Sequence, residues 1–201
     1  MVLKPPYTQP EEIAREQVEE ILRNNLLKKY VNLSLGSLVL RESQSTSLEL
    51  EIIETESNKK KIKKMSCSGV GLVDSIFSGI KGEYGKKFKS LNNIFIECFH
   101  VVADMKTREN FDGSDSKVIV VLEARTKDSS KVVFRSFGRS MIESTVKVVL
   151  NTVAFYINAE KCFYTLRTKI KEANNRGRGD ISQRYTSDII EIVKISKYGE
   201  K

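Results

Sequence analysis

The sequence predicts an α+β fold: two βββα repeats related by pseudo-two-fold symmetry, with an added N-terminal helix. Three observations lead there. Ser68-Gly69-Val70-Gly71-Leu72-Val73-Asp74-Ser75 aligns with Phe137-Gly138-Arg139-Ser140-Met141-Ile142-Glu143-Ser144 at a constant offset of 69 residues. Glycine meets glycine, then a small residue, two apolar residues, an acid and a serine follow in both copies. Each copy also stands after three strand-like segments and before a helical one, as a repeated supersecondary unit does.

The first element is helical. Thr8 is placed to cap it, Glu11 completes a capping box and Pro10 is tolerated in the first turn. Ile13, Ala14, Gln17, Val18, Ile21, Leu22, Asn25 and Leu26 form an i, i+4 stripe that carries the helix to about Lys29.

Val31 to Glu42 reads as a strand, bulged at Gly36. Ser43 to Thr46 is a polar turn, and Leu48-Glu49-Leu50-Glu51-Ile52 alternates as a strand with one wet face does. Glu56-Ser57-Asn58 is the next turn. Lys60 to Ser66 is the third strand, with Ile62 and Met65 its main apolar residues. Gly69 and Gly71 turn the chain into a helix over Leu72 to Lys81, which ends near Gly82 and Gly85.

The pattern restarts at Leu91 to Ala103, a long strand followed by a polar loop from Asp104 to Asp115. Val118 to Leu122 is apolar enough to be buried on both faces. Lys127 to Ser130 is a turn and Val132-Val133-Phe134 the third strand. Gly138 then leads into a longer helix through Ile157. That helix is apolar nearly all round, from Met141 and Ile142 to Phe155 and Ile157. Two readings stay open for it: an ordinary core helix, or one packed on its own sheet and on another subunit.

Beyond Cys162 the pattern weakens. Leu166 to Ala173 is able to extend the helix, Asn174 to Gly179 reads as a flexible linker, and Ser187 to Ile195 suits a strand or a helix. The expected organisation is therefore an N-terminal helical extension over 1–30, a duplicated domain over 31–160 and a C-terminal extension over 161–201, partly flexible.

With 201 residues, 40% hydrophobic and 30% charged, the chain suits one soluble globular domain. No apolar run approaches the roughly 18 residues that cross a bilayer, so no membrane partner is expected. The N-terminus shows no apolar signal core. Cys67, Cys98 and Cys162 lack metal-ligand spacing and lie in or beside apolar elements, so they read as reduced, buried structural thiols in a cytoplasmic protein.

Catalytic machinery is poorly represented. His100 is the only histidine, which excludes a histidine-rich metal site, and its strand context suggests a structural role. No catalytic residue, metal or cofactor is expected. Asp74 and Glu143 fall in first helical turns, where a carboxylate complements the helix dipole. Gly69-Val70-Gly71 lacks the spacing of both common phosphate-binding fingerprints. Gly69 or Gly71 is expected to take positive φ or a close backbone approach. Gly71→Val should then do damage, and Gly177→Val, in the linker, little.

The net charge of +8 permits polyanion binding. The lysines from Lys59 to Lys64 read more simply as a solvated hairpin strand that protects a sheet edge. The basic clusters hold no aromatic platform, so nucleic acid is not favoured.

The glycine motifs resemble those of the C-terminal regulatory domain of alpha-isopropylmalate synthase and citramalate synthase. The family's Gly-x-Gly-Pro-Val-Asp-Ala signature stands here as Gly69-Val70-Gly71-Leu72-Val73-Asp74-Ser75. Its Gly-x-Asp-Ala element stands as Gly113-Ser114-Asp115-Ser116. Its Gly-x-Ser turn and Ile-Glu-Ala-Ser segment resemble Gly138-Arg139-Ser140 and Ile142-Glu143-Ser144-Thr145. The likeness spans about Val31 to Asn158. It departs at Leu72, where the family has proline, at Ile94, where the family often has tyrosine, and at two serines that replace alanines.

The resemblance implies a dimer that binds a branched-chain amino acid, leucine or isoleucine, at the subunit interface. By position, Gly69, Gly71, Val73 and Ser75 would form one ligand site, and Gly138, Ser140 and Ile142 its pseudo-equivalent. The family's catalytic barrel of roughly 250 residues has no room in this chain. The expected protein is thus a non-catalytic homodimer that binds an amino-acid-like effector and serves a separate catalytic subunit. The alternative is a dimeric interaction module that has lost the ligand and meets an acidic protein or nucleic acid through its basic clusters.

Overall fold

The computed structural model describes residues 10–42, 46–104, 107, 116–127 and 129–195. The chain runs through α1 (Pro10–Leu26), β1 (Asn32–Glu42), β2 (Thr46–Glu56), β3 (Lys59–Gly69), α2 (Leu72–Tyr84), β4 (Ile94–Asp104), β5 (Lys117–Thr126), β6 (Val132–Gly138), α3 (Met141–Asn175) and α4 (Gly179–Ile195). Two antiparallel three-stranded sheets form, ordered β1-β2-β3 and β4-β5-β6. The fold is α+β, made of two βββα units and an N-terminal helix.

The first strand of each unit carries a bulge. In β1 the pairing with β2 shifts register between Leu35 and Ser37, at the expected Gly36. In β4 it shifts between Ile96 and Cys98. A bulge adds one residue and so reverses which face the following side chains take. Leu33 and Leu35 therefore face the same side as Leu38 and Leu40, opposite Glu54, Ile52, Leu50 and Leu48 of β2. The β2–β3 hairpin turns through Ser57 and Asn58, both at positive φ (52° and 62°), as a two-residue hairpin turn requires. Alternation fixes the buried face of β2, where Leu48, Leu50 and Ile52 lie in the core and Ser47 and Glu49 in solvent.

Helix α3 is the axis of the molecule. It contacts β1, β5, β6, α1, α2 and α4, and nearly every side chain from Ser144 to Glu160 is buried. Its apolar girth is thus covered by its own chain and does not by itself call for a second subunit.

Several expectations are corrected. β5 is buried on one face only: Val118, Val120, Leu122 and Ala124 point inward, with Ile119 and Val121 half-exposed. Ile62, expected only to be a main apolar residue of its strand, faces solvent, because its register opposite Ile53 puts it on the outer side of the sheet. The segment from Asn174 to Gly179 is a hydrogen-bonded joint. Arg178 N–H donates to the Ala173 carbonyl (2.9 Å) and Gly177 N–H to that of Asn174 (3.0 Å), with Gly177 at φ 67°. This is the Schellman closure of a helix end. The residues after it form α4, which folds back so that Ile192 and Ile195 join one continuous core with Val18, Leu22 and Leu26 of α1. Described residues of both terminal segments are thus part of that core. Thr8, the Ser43–Thr46 turn before Thr46, most of the Asp104–Asp115 loop and the Gly113-Ser114-Asp115 motif lie outside the described residues.

Candidate functional site

At the first glycine turn, Gly69 ends β3 and Gly71 caps α2. A side chain on Gly69 would place its Cβ 2.5 Å from Asp74 Oδ2 and 2.9 Å from Ser75 Oγ, so strand and helix approach too closely for one. Val70 N–H donates to Asp74 Oδ2 (3.3 Å), and the buried Ser75 hydroxyl donates to the Gly71 carbonyl (2.7 Å). These polar groups are spent inside the turn. Gly71 itself is extended (φ −159°) and open, with nothing within 4 Å of an added Cβ. The close approach therefore belongs to Gly69, and Gly71 is unconstrained.

The second turn repeats the same contact. A Cβ on Gly138 would fall 2.5 Å from Oγ of the buried Ser144, the residue equivalent to Ser75. Here the helix is better capped: Glu143 N–H donates to Ser140 Oγ (3.2 Å), a side-chain cap that Gly71 does not offer. Glu143 pairs with Lys147 one turn on (2.6 Å).

Beside this second turn lies a cleft of about 760 Å³. One wall is β1, with Leu33, Leu35, Leu38 and Leu40. The opposite wall holds Ser136 of β6 and Ser140, Ile142, Glu143, Lys147, Leu150 and Asn151 of α3 with its cap. Of the expected ligand residues, only Ser140 and Ile142 line it. Gly138 sets the turn behind them. Gly69, Gly71, Val73 and Ser75 stand at the other strand–helix turn and do not line this cleft. The leucine wall escaped the motif reading. Its signal was present as two leucine pairs of opposite parity on either side of Gly36.

The cysteines divide into two kinds. Cys67 and Cys162 are buried, and burial pushes both thiols up, Cys162 to about 12. Cys98 is only half-buried, and its Sγ lies 3.0 Å from Nε2 of the exposed His100. The expectation of a buried thiol is corrected at Cys98. No group of three or more His, Cys, Asp or Glu side chains able to hold a metal ion occurs among the described residues. Among them, too, no helix is long and apolar enough to cross a membrane.

The lysine strand is partly neutralised. Lys63 lies between Glu54 (3.5 Å) and Glu83 (3.2 Å) and sits 4.0 Å over the Tyr84 ring. Lys64 pairs with Glu51 (3.4 Å). Tyr84 donates its hydroxyl to Glu54 (3.0 Å), and burial together with the Glu54 charge pushes the phenol well above its ordinary range. No family model matches the chain, and no curated protein matches it significantly.

Proposed function

We propose that this chain is a non-catalytic, effector-binding regulatory protein whose ligand is a small branched-chain amino acid. It binds in the cleft between β1 and the start of α3. The observation that carries the reading is the cleft's composition. A strip of leucines and Ile142 faces a polar end formed by Ser140, Glu143 and Lys147. An aliphatic side chain would lie along the leucines. Glu143 and Lys147, paired with each other in the free chain, would part on binding, so that the carboxylate meets Lys147 and the ammonium Glu143. The likeness of the glycine turns to the regulatory domain of alpha-isopropylmalate synthase supports the same ligand class.

The protein acts as a homodimer in this reading. Exposed apolar residues are available to a partner copy: Val39 and Phe137 on the outer faces of the two sheets, and Met141 at the start of α3. An isologous contact over such residues would close the dimer. The chain serves a separate catalytic subunit in the cytoplasm, where its three thiols stay reduced. The carboxylates paired with Lys63 and Lys64 weigh against nucleic acid as the principal partner.

A thermal-shift and calorimetric screen of leucine, isoleucine, valine and their 2-oxo acids tests the reading. A ligand at 100 times its Kd adds about 2.7 kcal/mol of stability. Absence of any shift at millimolar concentrations, with monomer alone in sedimentation at micromolar protein, would overturn it.

A further inference from the structure

The sole histidine of the sequence stands against the one cysteine that is not buried. The bulge in β4 brings this about. Ile94 and Ile96 pair with Thr126 and Ala124 on the core side of the sheet. Continued without interruption, that parity would turn Cys98 into the core as well. The extra residue, Glu97, shifts the register so that Cys98 pairs with Glu123 and His100 with Val121, both on the outer face. Bulges re-aim side chains in this way beside functional sites. The spacing of two along a strand then sets thiol and imidazole side by side.

We propose that Cys98, activated by His100, is a reactive thiol that takes a hydroperoxide as substrate. This site is independent of the effector cleft, which neither residue lines. The Cys98 proton passes to His100 Nε2. The thiolate sulfur attacks one peroxide oxygen and the O–O bond breaks. The leaving oxygen takes the proton from the imidazolium. Sulfur is oxidised to Cys98–SOH, and the hydroperoxide is reduced to water or an alcohol. The thiolate form is the nucleophile, and a neighbouring imidazolium favours it.

The surroundings permit this chemistry. The other charged groups facing the pair from the same sheet are already engaged: Glu123 by Lys131 (3.1 Å), Glu97 by Arg125, and Arg135 by Glu12 of α1 (2.6 Å). His100 is thus the basic group in contact with the sulfur. Cys67 and Cys162 are buried and held as neutral thiols, so they neither compete for the oxidant nor resolve the sulfenic acid. A small soluble thiol would do so, forming a mixed disulfide and water.

The test is dimedone trapping of the purified chain at pH 7 with limiting hydrogen peroxide, read by peptide mass spectrometry. The expected result is an adduct at Cys98 and none at Cys67 or Cys162. An ordinary thiol is only a few per cent thiolate at this pH. His100→Ala should therefore slow the labelling about tenfold and change its dependence on pH. Hydrogen exchange matching wild type would show that the variant is folded. Labelling of Cys98 no faster than of the same cysteine in urea, or a rate and pH profile unmoved by His100→Ala, would overturn the proposal.

Discussion

The Asn158 carboxamide grips both sides of the Val31 peptide. Its Oδ1 accepts from Val31 N–H and its Nδ2 donates to Val31 C=O, each at 2.8 Å and across 127 residues of sequence. A third bond runs from Nδ2 to the Ala154 carbonyl (2.8 Å). Two residues further along α3, Glu160 accepts from the N–H (2.9 Å) and hydroxyl (2.6 Å) of Ser90. One helix thus holds the entrance to the first βββα unit and the approach to the second.

Asn158→Leu keeps the branched shape, adds some bulk and removes the amide. Val31 would be left with a buried donor and acceptor unpaired, at roughly 1–3 kcal/mol each. A loss of about 2–4 kcal/mol in urea unfolding is expected. A loss under about 0.5 kcal/mol would mean that water or the backbone replaces the amide.

The two turn glycines should respond alike. Gly69→Ala and Gly138→Ala each force a Cβ to within 2.5 Å of an oxygen, and overpacking of this kind costs roughly 1–3 kcal/mol. At the second turn the oxygen is Ser144 Oγ alone at that range, so adding Ser144→Ala to Gly138→Ala should restore most of the loss. Additive effects in that double-mutant cycle would remove the contact as the cause.

Gly71 and Gly177 exchange the roles that their sequence positions suggested. Gly71 is extended and open, so Gly71→Ser should fold normally and gain a few tenths of a kcal/mol by copying the Ser140 cap. Gly177 sits at φ 67° in the joint between α3 and α4. Gly177→Val should cost about 1–2 kcal/mol for forcing a branched residue into the left-handed region. Equal melting temperatures for these two variants would contradict the assignment.

The doubled βββα order was legible because glycine turns and two-residue periodicity are local signals. Gly36 announced its bulge for the same reason. The bulge at Glu97 was not legible, since glutamate carries no backbone signature, and with it went the true placement of Cys98. The course of α4 was undecided because its isoleucines crowd together. Only the wider spacing of Tyr185, Ile189, Ile192 and Ile195 reveals a helical face. Of the cleft, only Ser140 and Ile142 on the α3 wall were visible. The β1 wall required knowing that parity reverses across Gly36. Gly79 passed unnoticed altogether, though a Cβ there would meet Cys67 Sγ at 2.1 Å, a contact between helix and strand that sequence spacing does not encode.

Alkaline pH should unfold the protein early. Burial raises Tyr30 from 10.0 to about 12, with the Glu19 charge adding to it, and raises Cys162 from 9.0 to about 12. These groups stay neutral in the folded chain while the unfolded chain releases their protons. Their contribution is therefore full below pH 9 and is lost as pH rises toward 12, at about 1.4 kcal/mol per pH unit for each group. Cys162→Ala should flatten the decline of the urea midpoint between pH 9 and 10. It should not abolish it, since burial raises Cys67 as well. A midpoint that is constant from pH 9 to 11 would contradict the burial of these thiols.

The cleft predicts which glycine-turn residues matter for ligand. Ile142 is half-buried and lines the cleft, whereas Gly71 stands at the other turn. Ile142→Glu would set a carboxylate beside Glu143 and replace an apolar contact on the path of an aliphatic side chain. It should weaken leucine-class binding at least about tenfold, since one lost apolar contact is worth roughly 1–3 kcal/mol, while leaving the melting temperature of the free protein within a few degrees. Lys147→Glu should weaken the amino acids and their 2-oxo acids together, because both present a carboxylate. Gly71→Ser should leave affinity unchanged in the same calorimetric titration. If Gly71→Ser abolished binding and Ile142→Glu spared it, the ligand would belong at the first turn, and the cleft between β1 and α3 would be empty of function.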